Sequence, residues 1–118
     1  MKEKMLEIAK FLYTRKALDI IALDVTGMTV ITDGMLIASG RNNIQVKSLA
    51  EELIEHMYEL GIEPVRQEGM QDGQWIILDY GDILVHIFHV EQRAFYKLDK
   101  LWQTESNRID LPFDSMEE

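Results

Sequence analysis

The sequence predicts a single-domain α/β protein in which a mixed five-stranded β-sheet is flanked by helices. Three observations lead to this prediction. The 118 residues suit one domain and leave little room for a second. Short apolar runs alternate with amphipathic helical stripes, as in layered α/β folds. One long stripe suits a crossover helix between strands, whereas a hairpin nearer the C-terminus must be antiparallel, so the sheet is expected to be mixed.

An N-terminal helix and two strands fill the first third of the chain. The helix is indicated by apolar residues at the i, i+3, i+4 and i+7 spacing. These residues are Met5, Ile8, Ala9 and Leu12. Residues 19–25 form a short β-branched run that ends before Gly27, which predicts a largely buried strand. Residues 35–38 lie between two glycines and predict a second strand.

A long amphipathic helix follows and is the clearest element of the sequence. Asn42 or Asn43 can cap its start, because a short polar side chain accepts hydrogen bonds from the free amides. Gly61 stands where a left-handed residue ends a helix, and Pro64 forbids continuation. Residues 63–67 then predict a third strand near an edge of the sheet, because Pro64 lacks an amide donor.

Residues 75–89, WIILDYGDILVHIFH, predict the fourth and fifth strands as a hairpin. Pairing Asp79 with Asp82 across Tyr80-Gly81 fixes a register in which Trp75 opposes His86. Because side chains alternate between the two sides of a strand, one face is then aliphatic and the other is aromatic. The aliphatic face holds Ile76, Leu78, Ile83, Val85 and Ile87, and the aromatic face holds Trp75, Ile77, Leu84, His86 and Phe88.

The aromatic side of this hairpin has two interpretations. It is either a second core layer covered by the first or last helix, or a surface on which aromatic anchors bind a partner. In the second interpretation, Asp79 and Asp82 at the tip add a negative rim. The pattern alone does not choose between the two.

The C-terminal part of the chain divides into a helix and a tail. Residues 91–102 carry a broad apolar stripe and predict one helix. From Gln103 onward the pattern ends, and the remaining residues are acidic and polar. We therefore predict a folded domain over residues 1–102 and a mobile acidic tail over residues 103–118.

Composition argues against several functional classes. The formal net charge is −9, from 21 acidic and 12 basic side chains, so a basic protein is a better partner than nucleic acid, and no direct sequence-specific nucleic-acid binding is expected. The chain has no cysteine, which excludes a disulfide framework and agrees with a cytoplasmic location. Neither a signal peptide nor an apolar run of about 18 residues is present, so no membrane association is expected.

The chemistry-bearing residues form no recognisable catalytic or metal motif. His86 and His89 lie on opposite faces of a strand, and His56 lies on the polar side of the long helix, so no metal is expected. Asp24 and Asp33 flank a predicted turn and are candidates for magnesium binding and phosphoryl transfer, although Asp is common in turns. A divalent-metal nucleotidyltransferase is therefore the alternative function.

Four stretches of the sequence resemble one known family. They are ALDIIALDVTGM, TDGMLIASGRNNIQVKSLAEEL, DGQWIILDYGDILVHIF and the segment ending in YKLDKLW. Together they resemble the ribosomal silencing factor family, also called the Iojap family, over residues 5–102. The sequence departs from the family pattern at Gly34, where Tyr is usual, and at Ser39, where Thr is usual.

This resemblance implies a fold, a function and a surface. Members of the family have a nucleotidyltransferase-like fold without catalytic residues and need no cofactor. They bind the large ribosomal subunit through its basic protein of the L-fourteen family, which blocks subunit joining and represses translation during starvation. By resemblance, the contact residues are Trp75, Leu78, Asp79, Tyr80, Asp82, His86, Phe88 and Tyr96. The register above nevertheless places Leu78 in the core, and a homodimer is also compatible with this function.

Overall fold

A six-stranded mixed sheet organises the chain, and the computed structural model describes residues 1–114. In chain order the elements are α1 (Lys2–Thr14), β1 (Leu18–Asp24), β2 (Gly34–Gly40), α2 (Asn43–Glu59), β3 (Arg66–Glu68), β4 (Trp75–Asp79), β5 (Ile83–His89), α3 (Val90–Tyr96), α4 (Leu98–Trp102) and β6 (Arg108–Ile109). The strands lie in the order β3-β4-β5-β2-β1-β6. The predicted α/β fold is confirmed, with six strands instead of five.

The parallel pair β2 and β5 lies at the centre of the sheet. The other neighbouring strands pair antiparallel. A parallel pair requires a long connection, and α2 supplies its helical part, as the sequence predicts. The third strand, expected near an edge, is the edge strand β3.

Helices α1 and α2 cover one side of the sheet, which we call the helix-covered face. All four apolar positions predicted for α1 are fully buried. They pack in one cluster with the aliphatic hairpin residues Ile76, Leu78, Ile83, Val85 and Ile87. The aliphatic face predicted for the hairpin is therefore the inner wall of the main core.

The predicted signals at the two ends of α2 are confirmed. The Asn42 side chain accepts a hydrogen bond of 2.8 Å from the Gln45 amide, which satisfies one of the free donors of the first turn. Gly61 follows the helix with φ of +81°, a conformation in which a side chain is rarely tolerated. No helix within residues 1–114 is long and apolar enough to cross a membrane.

The hairpin register differs from the prediction by two residues. Asp79 pairs with Leu84 and not with Asp82. The Tyr80 amide donates to the Ile83 carbonyl, so the turn lies at Gly81-Asp82 and not at Tyr80-Gly81, and Gly81 at its first central position has φ of +90°. Because a shift of two residues returns each side chain to its original face, the predicted division into two faces is correct.

The helix predicted over residues 91–102 is two short helices. Lys97 has φ of +53° and ψ of +41°, a left-handed conformation that ends α3 and precedes α4. Lysine gives no sequence signal for this conformation, which usually favours glycine or asparagine. The apolar stripe also continues across the break, and for these two reasons the prediction of one helix was wrong.

The segment after α4 belongs to the folded domain. Residues 108–109 form β6, which pairs with β1 at the edge of the sheet. Leu111 and Phe113 are buried in the main core, and the Phe113 ring stacks on Tyr13 with a centroid distance of 4.1 Å. The prediction of a mobile tail was therefore wrong for residues 103–114, because a strand this short shows no detectable alternation. Residues 115–118 lie outside the described part of the chain.

We expect Phe113→Ala to lower the free energy of unfolding by about 3–5 kcal/mol, because the variant removes a buried ring from the main core. Urea unfolding followed by circular dichroism measures the change. Leu101→Ala is the matched control, because the Leu101 side chain is 73% exposed, and its unfolding midpoint should stay at the parent value. An unchanged midpoint for Phe113→Ala would contradict the packing of this segment.

Candidate functional site

The aromatic face is the side of the sheet opposite α1 and α2. Its hairpin residues are Trp75, Ile77, Leu84, His86 and Phe88. A second buried cluster continues this face across β1 and β2 and includes Leu23, Val25, Met35, Ile37 and Phe88. Leu98 and Trp102 of α4 pack against this cluster. The aromatic face is therefore a small core layer whose margin is left partly open.

The predicted site residues of β5 lie inside this layer. Phe88 is fully buried and His86 is 5% exposed. Trp75 is partly buried, and Tyr96 at the end of α3 is 47% exposed. The second-core interpretation is therefore correct for Phe88 and His86, whereas Trp75 and Tyr96 form the accessible margin.

Three neighbours hold the Trp75 indole in place. Its ring stacks on Phe88 with a centroid distance of 4.8 Å and meets Tyr96 at 4.9 Å. Its Nε1–H donates a hydrogen bond of 3.1 Å to Nδ1 of His86. Because the ring is fixed on several sides, it presents its open edge in one orientation.

The hydrogen bond from Trp75 requires a neutral His86. Since Nδ1 accepts this bond, the imidazole proton is assigned to Nε2, which has no hydrogen-bond partner within residues 1–114. Burial lowers the pKa of His86 to about 4, because the charged form loses its hydration. Protonation would set two N–H donors against each other and remove the bond that orients Trp75.

Two residues that the resemblance places in the contact surface belong to the helix-covered face. Leu78 is fully buried there, as its register predicts, and Tyr80 is buried in the same cluster. Burial raises the pKa of Tyr80 to about 12. Both side chains pack beneath the helices, and this placement corrects the expectation that they contact a partner directly.

The two acids of the hairpin tip already have partners in the fold. Asp82 forms an ion pair of 2.6 Å with Lys4 of α1, and the hydrogen bond from Lys4 holds the pKa of Asp82 below its usual range. Asp79 accepts a hydrogen bond of 2.8 Å from the Gly81 amide and lies 3.7 Å from Arg66. The predicted negative rim is therefore partly neutralised by local cations.

Exposed apolar side chains on α3 and α4 extend the open margin. Phe95 and Leu101 are largely exposed, and the Phe95 ring contacts Tyr96 edge-on at 5.1 Å. Phe95 and Leu101 belong to the broad apolar stripe of the single helix predicted over residues 91–102. The left-handed Lys97 separates α3 from α4, and both side chains face solvent. We call Trp75, Phe95 and Tyr96, whose rings contact one another in sequence, the aromatic patch.

The alternative catalytic pair lies where β1 ends and β2 begins. The carboxylate of Asp24 accepts a hydrogen bond of 3.0 Å from the Thr26 amide, and hydrogen bonds from the Thr26 side chain and amide hold its pKa below the usual range. The Asp33 carbonyl accepts from the Val25 amide. Within residues 1–114, no three His, Asp or Glu side chains gather as metal ligands. The contacts of Asp24 are those of a turn residue.

Gly34 and Ser39, the two positions at which the resemblance predicts departures, lie outside the aromatic patch. Gly34 is on the helix-covered face, where an added Cβ would lie 2.8 Å from Met5 Cε and 2.9 Å from Met1 Sδ. Methionine side chains therefore fill the space beside this glycine. Ser39 accepts a hydrogen bond of 3.0 Å from Nη1 of Arg93. The departure at Gly34 thus concerns the packing of α1 against the sheet.

Known proteins match this chain over most of its length. A family model described as "Ribosomal silencing factor during starvation" matches residues 1–118. The protein named Ribosomal silencing factor RsfS is 42% identical in Halalkalibacterium halodurans and 39% identical in Bacillus subtilis (strain 168), each over 88 residues that cover 75% of both chains. A crystal structure of a Bacillus halodurans protein is similar with a TM-score of 0.79 at 35% identity, and the match covers 92% of this chain and 99% of that one.

We expect acid to weaken the fold through His86. Its pKa is about 4 in the folded chain, against an ordinary value of 6.5 for the unfolded chain, so between these values the unfolded chain binds more protons. Stability is therefore fully present above about pH 6.5 and falls as the pH decreases toward 4. By about pH 4.5 this group alone should remove roughly 2–3 kcal/mol of the free energy of unfolding.

The matched control is His86→Gln, whose side-chain oxygen can accept from Trp75 but does not titrate. Urea unfolding near neutral pH and at about pH 4.5 gives the loss for each protein, and carboxylates contribute equally to both. The parent should lose more stability than His86→Gln. Equal losses would show that His86 is not held in its neutral form.

Proposed function

The chain belongs to the ribosomal silencing factor family, and from this membership we propose that it is a translational repressor that acts by steric exclusion. It binds the large ribosomal subunit through a basic protein of the L-fourteen family and thereby blocks joining of the small subunit. It does so in the cytoplasm, when nutrients are scarce. The role is not enzymatic and needs no cofactor, because occupying a surface is sufficient.

The aromatic patch is the observation that supports this proposal most strongly. Trp75 is fixed by its contacts with Phe88, Tyr96 and His86 before any partner arrives. A preordered aromatic side chain loses little conformational entropy on binding, and such side chains dominate the energy of protein interfaces. Phe95 adds exposed apolar area next to Tyr96.

The charge of the domain supports a basic partner. A net charge of −9 attracts a cationic protein at long range and raises the association rate. Asp79 lies on the same side of the sheet as Trp75. A lysine or arginine of the partner can compete there with Arg66, whose contact with Asp79 is long at 3.7 Å. Asp82 contributes less, because Lys4 already neutralises it.

The buried members of the predicted site act through packing. His86 orients Trp75 by accepting its hydrogen bond, and the Phe88 ring stacks on the indole from the neighbouring strand. In this proposal the direct contacts come from Trp75, Tyr96 and Asp79, with Phe95 added. A second copy of the chain could also cover the aromatic patch, and light scattering of the parent and Tyr96→Glu distinguishes a homodimer from the monomer.

We expect Tyr96→Ala to weaken binding to isolated large subunits by about 30-fold, the effect of losing one central aromatic anchor. Co-sedimentation over a concentration series measures the affinity. Tyr58→Ala is the matched control, because Tyr58 is a similarly exposed tyrosine on α2, which packs on the opposite face. This control should bind like the parent.

Two further measurements make the outcome decisive. Circular dichroism confirms that each variant is folded, and a subunit-joining assay tests whether the parent keeps small subunits from associating. Parent protein that saturates large subunits without reducing subunit joining would refute steric exclusion. Equal affinity of Tyr96→Ala and Tyr58→Ala would instead show that the partner binds elsewhere on the domain.

A further inference from the structure

A cationic cavity lies beside α3 and α4 and plays no part in the proposed ribosome contact. Its volume is about 360 Å³, within the range of small-molecule sites. Its charged and hydroxyl-bearing lining residues are Asp19, Ser39, Arg93, Lys97, Asp99 and Lys100. Three cations against two acids give this cavity a positive balance on a domain whose net charge is −9.

Arg93 is the anchored cation of the cavity. The side chain is only 9% exposed, and its Nη1 donates to the Asp19 carbonyl and, at 3.0 Å, to the Ser39 hydroxyl. Its Nη2 lies 3.8 Å from the Asp99 carboxylate, which is beyond hydrogen-bond distance. Arg93 is therefore fixed in position on one side, while its other terminal nitrogen makes a 3.8 Å ion pair with Asp99 and no hydrogen bond to it.

Lys97 and Lys100 complete the cationic lining from the exposed side. Their side chains carry three donors each and are free to move, because both residues are exposed. The left-handed backbone of Lys97 joins α3 to α4 and so places cations from both helices around one space. An immobile guanidinium with two adaptable ammonium groups is a combination suited to a phosphate group.

The topology of the sheet gives an independent reason to expect a ligand here. Strands β2 and β5 are parallel neighbours, and Ser39 and Val90 mark their carboxyl ends. After β2 the chain enters α2 on the helix-covered face, whereas after β5 it enters α3 and α4, which pack on the aromatic face. In open α/β sheets, ligands bind outside the carboxyl ends of parallel strands where the connections diverge in this way.

We propose that this cavity binds a small phosphate-bearing molecule. The phosphate oxygens accept hydrogen bonds from Arg93, Lys97 and Lys100, and the ligand displaces the weak contact between Arg93 and Asp99. The rest of the ligand lies over the apolar part of Val90 and Ala94. A small ligand is favoured over RNA, because the acidic domain repels a long phosphate backbone and the volume is limited.

Pyrophosphate is the probe for this site, and the full-length chain is the protein used. Titration to about 10 mM, followed by the amide resonances of the chain, should produce saturating shifts at Ser39, Arg93 and Ala94. Lys97→Gln with Lys100→Gln should weaken the affinity by about tenfold or more, because charge-assisted hydrogen bonds are lost. Sodium chloride at equal ionic strength serves as the background.

The matched control is Lys2→Gln with Lys10→Gln, which removes the same two charges from exposed positions on α1. This double variant should bind pyrophosphate like the parent. Equal weakening in both double variants, or resonances that do not move in the parent, would overturn the site. A short RNA that moves these resonances when pyrophosphate does not would overturn the assignment to a small ligand. The titration uses only the isolated chain, so its outcome is independent of the ribosome proposal.

Discussion

The parallel pairing of β2 with β5 is the constraint on which the rest of the structure depends. Two parallel neighbours cannot be joined by a tight turn, so α2 must cross over one side of the sheet. Once α1 and α2 occupy that side, α3 and α4 are left to cover the other. Both the aromatic patch and the cationic cavity lie on this second side because the two short helices cover only part of it.

Because α3 and α4 cover the aromatic face only in part, this face both forms a small core layer and exposes apolar area to solvent. The exposed area lowers the stability that the core layer provides. Apolar area left in water forgoes stabilisation of about 25 cal/mol per Å², so a fold selected for stability alone would bury this margin. The fold instead buries Phe88 and His86 completely or nearly so and leaves Trp75 and Tyr96 at the edge. The buried Phe88 and His86 thus hold the Trp75 indole in place, and one side of the ring remains accessible. This is the arrangement expected of an interface anchor.

Periodicity predicted the parts of this fold that repeat over several turns or residues. The stripe of α1 and both ends of α2 follow from spacing and from Asn42 and Gly61, because helix geometry and capping are local. The two faces of the hairpin were predicted although its register was not, since a slip of two residues leaves every side chain on its face. Features set by a single backbone angle or by distant packing, such as Lys97 and β6, have no such local signal.

The same limit explains why the candidate site was predicted only in part. Resemblance supplied residue identities, but it could not separate side chains that touch a partner from those that hold the contact in place. That separation depends on which face of the sheet each residue occupies and on what packs against it. Tyr80 is buried in the core beneath α1 and α2, and the buried Phe88 stacks on Trp75. Phe95 was missed for the opposite reason, because a continuous helix would have buried it. The left-handed Lys97 divides the single helix that was expected into α3 and α4. Cations of both helices line one cavity. Lys97 therefore lies next to Tyr96 of the aromatic patch and among the lining residues of the cationic cavity.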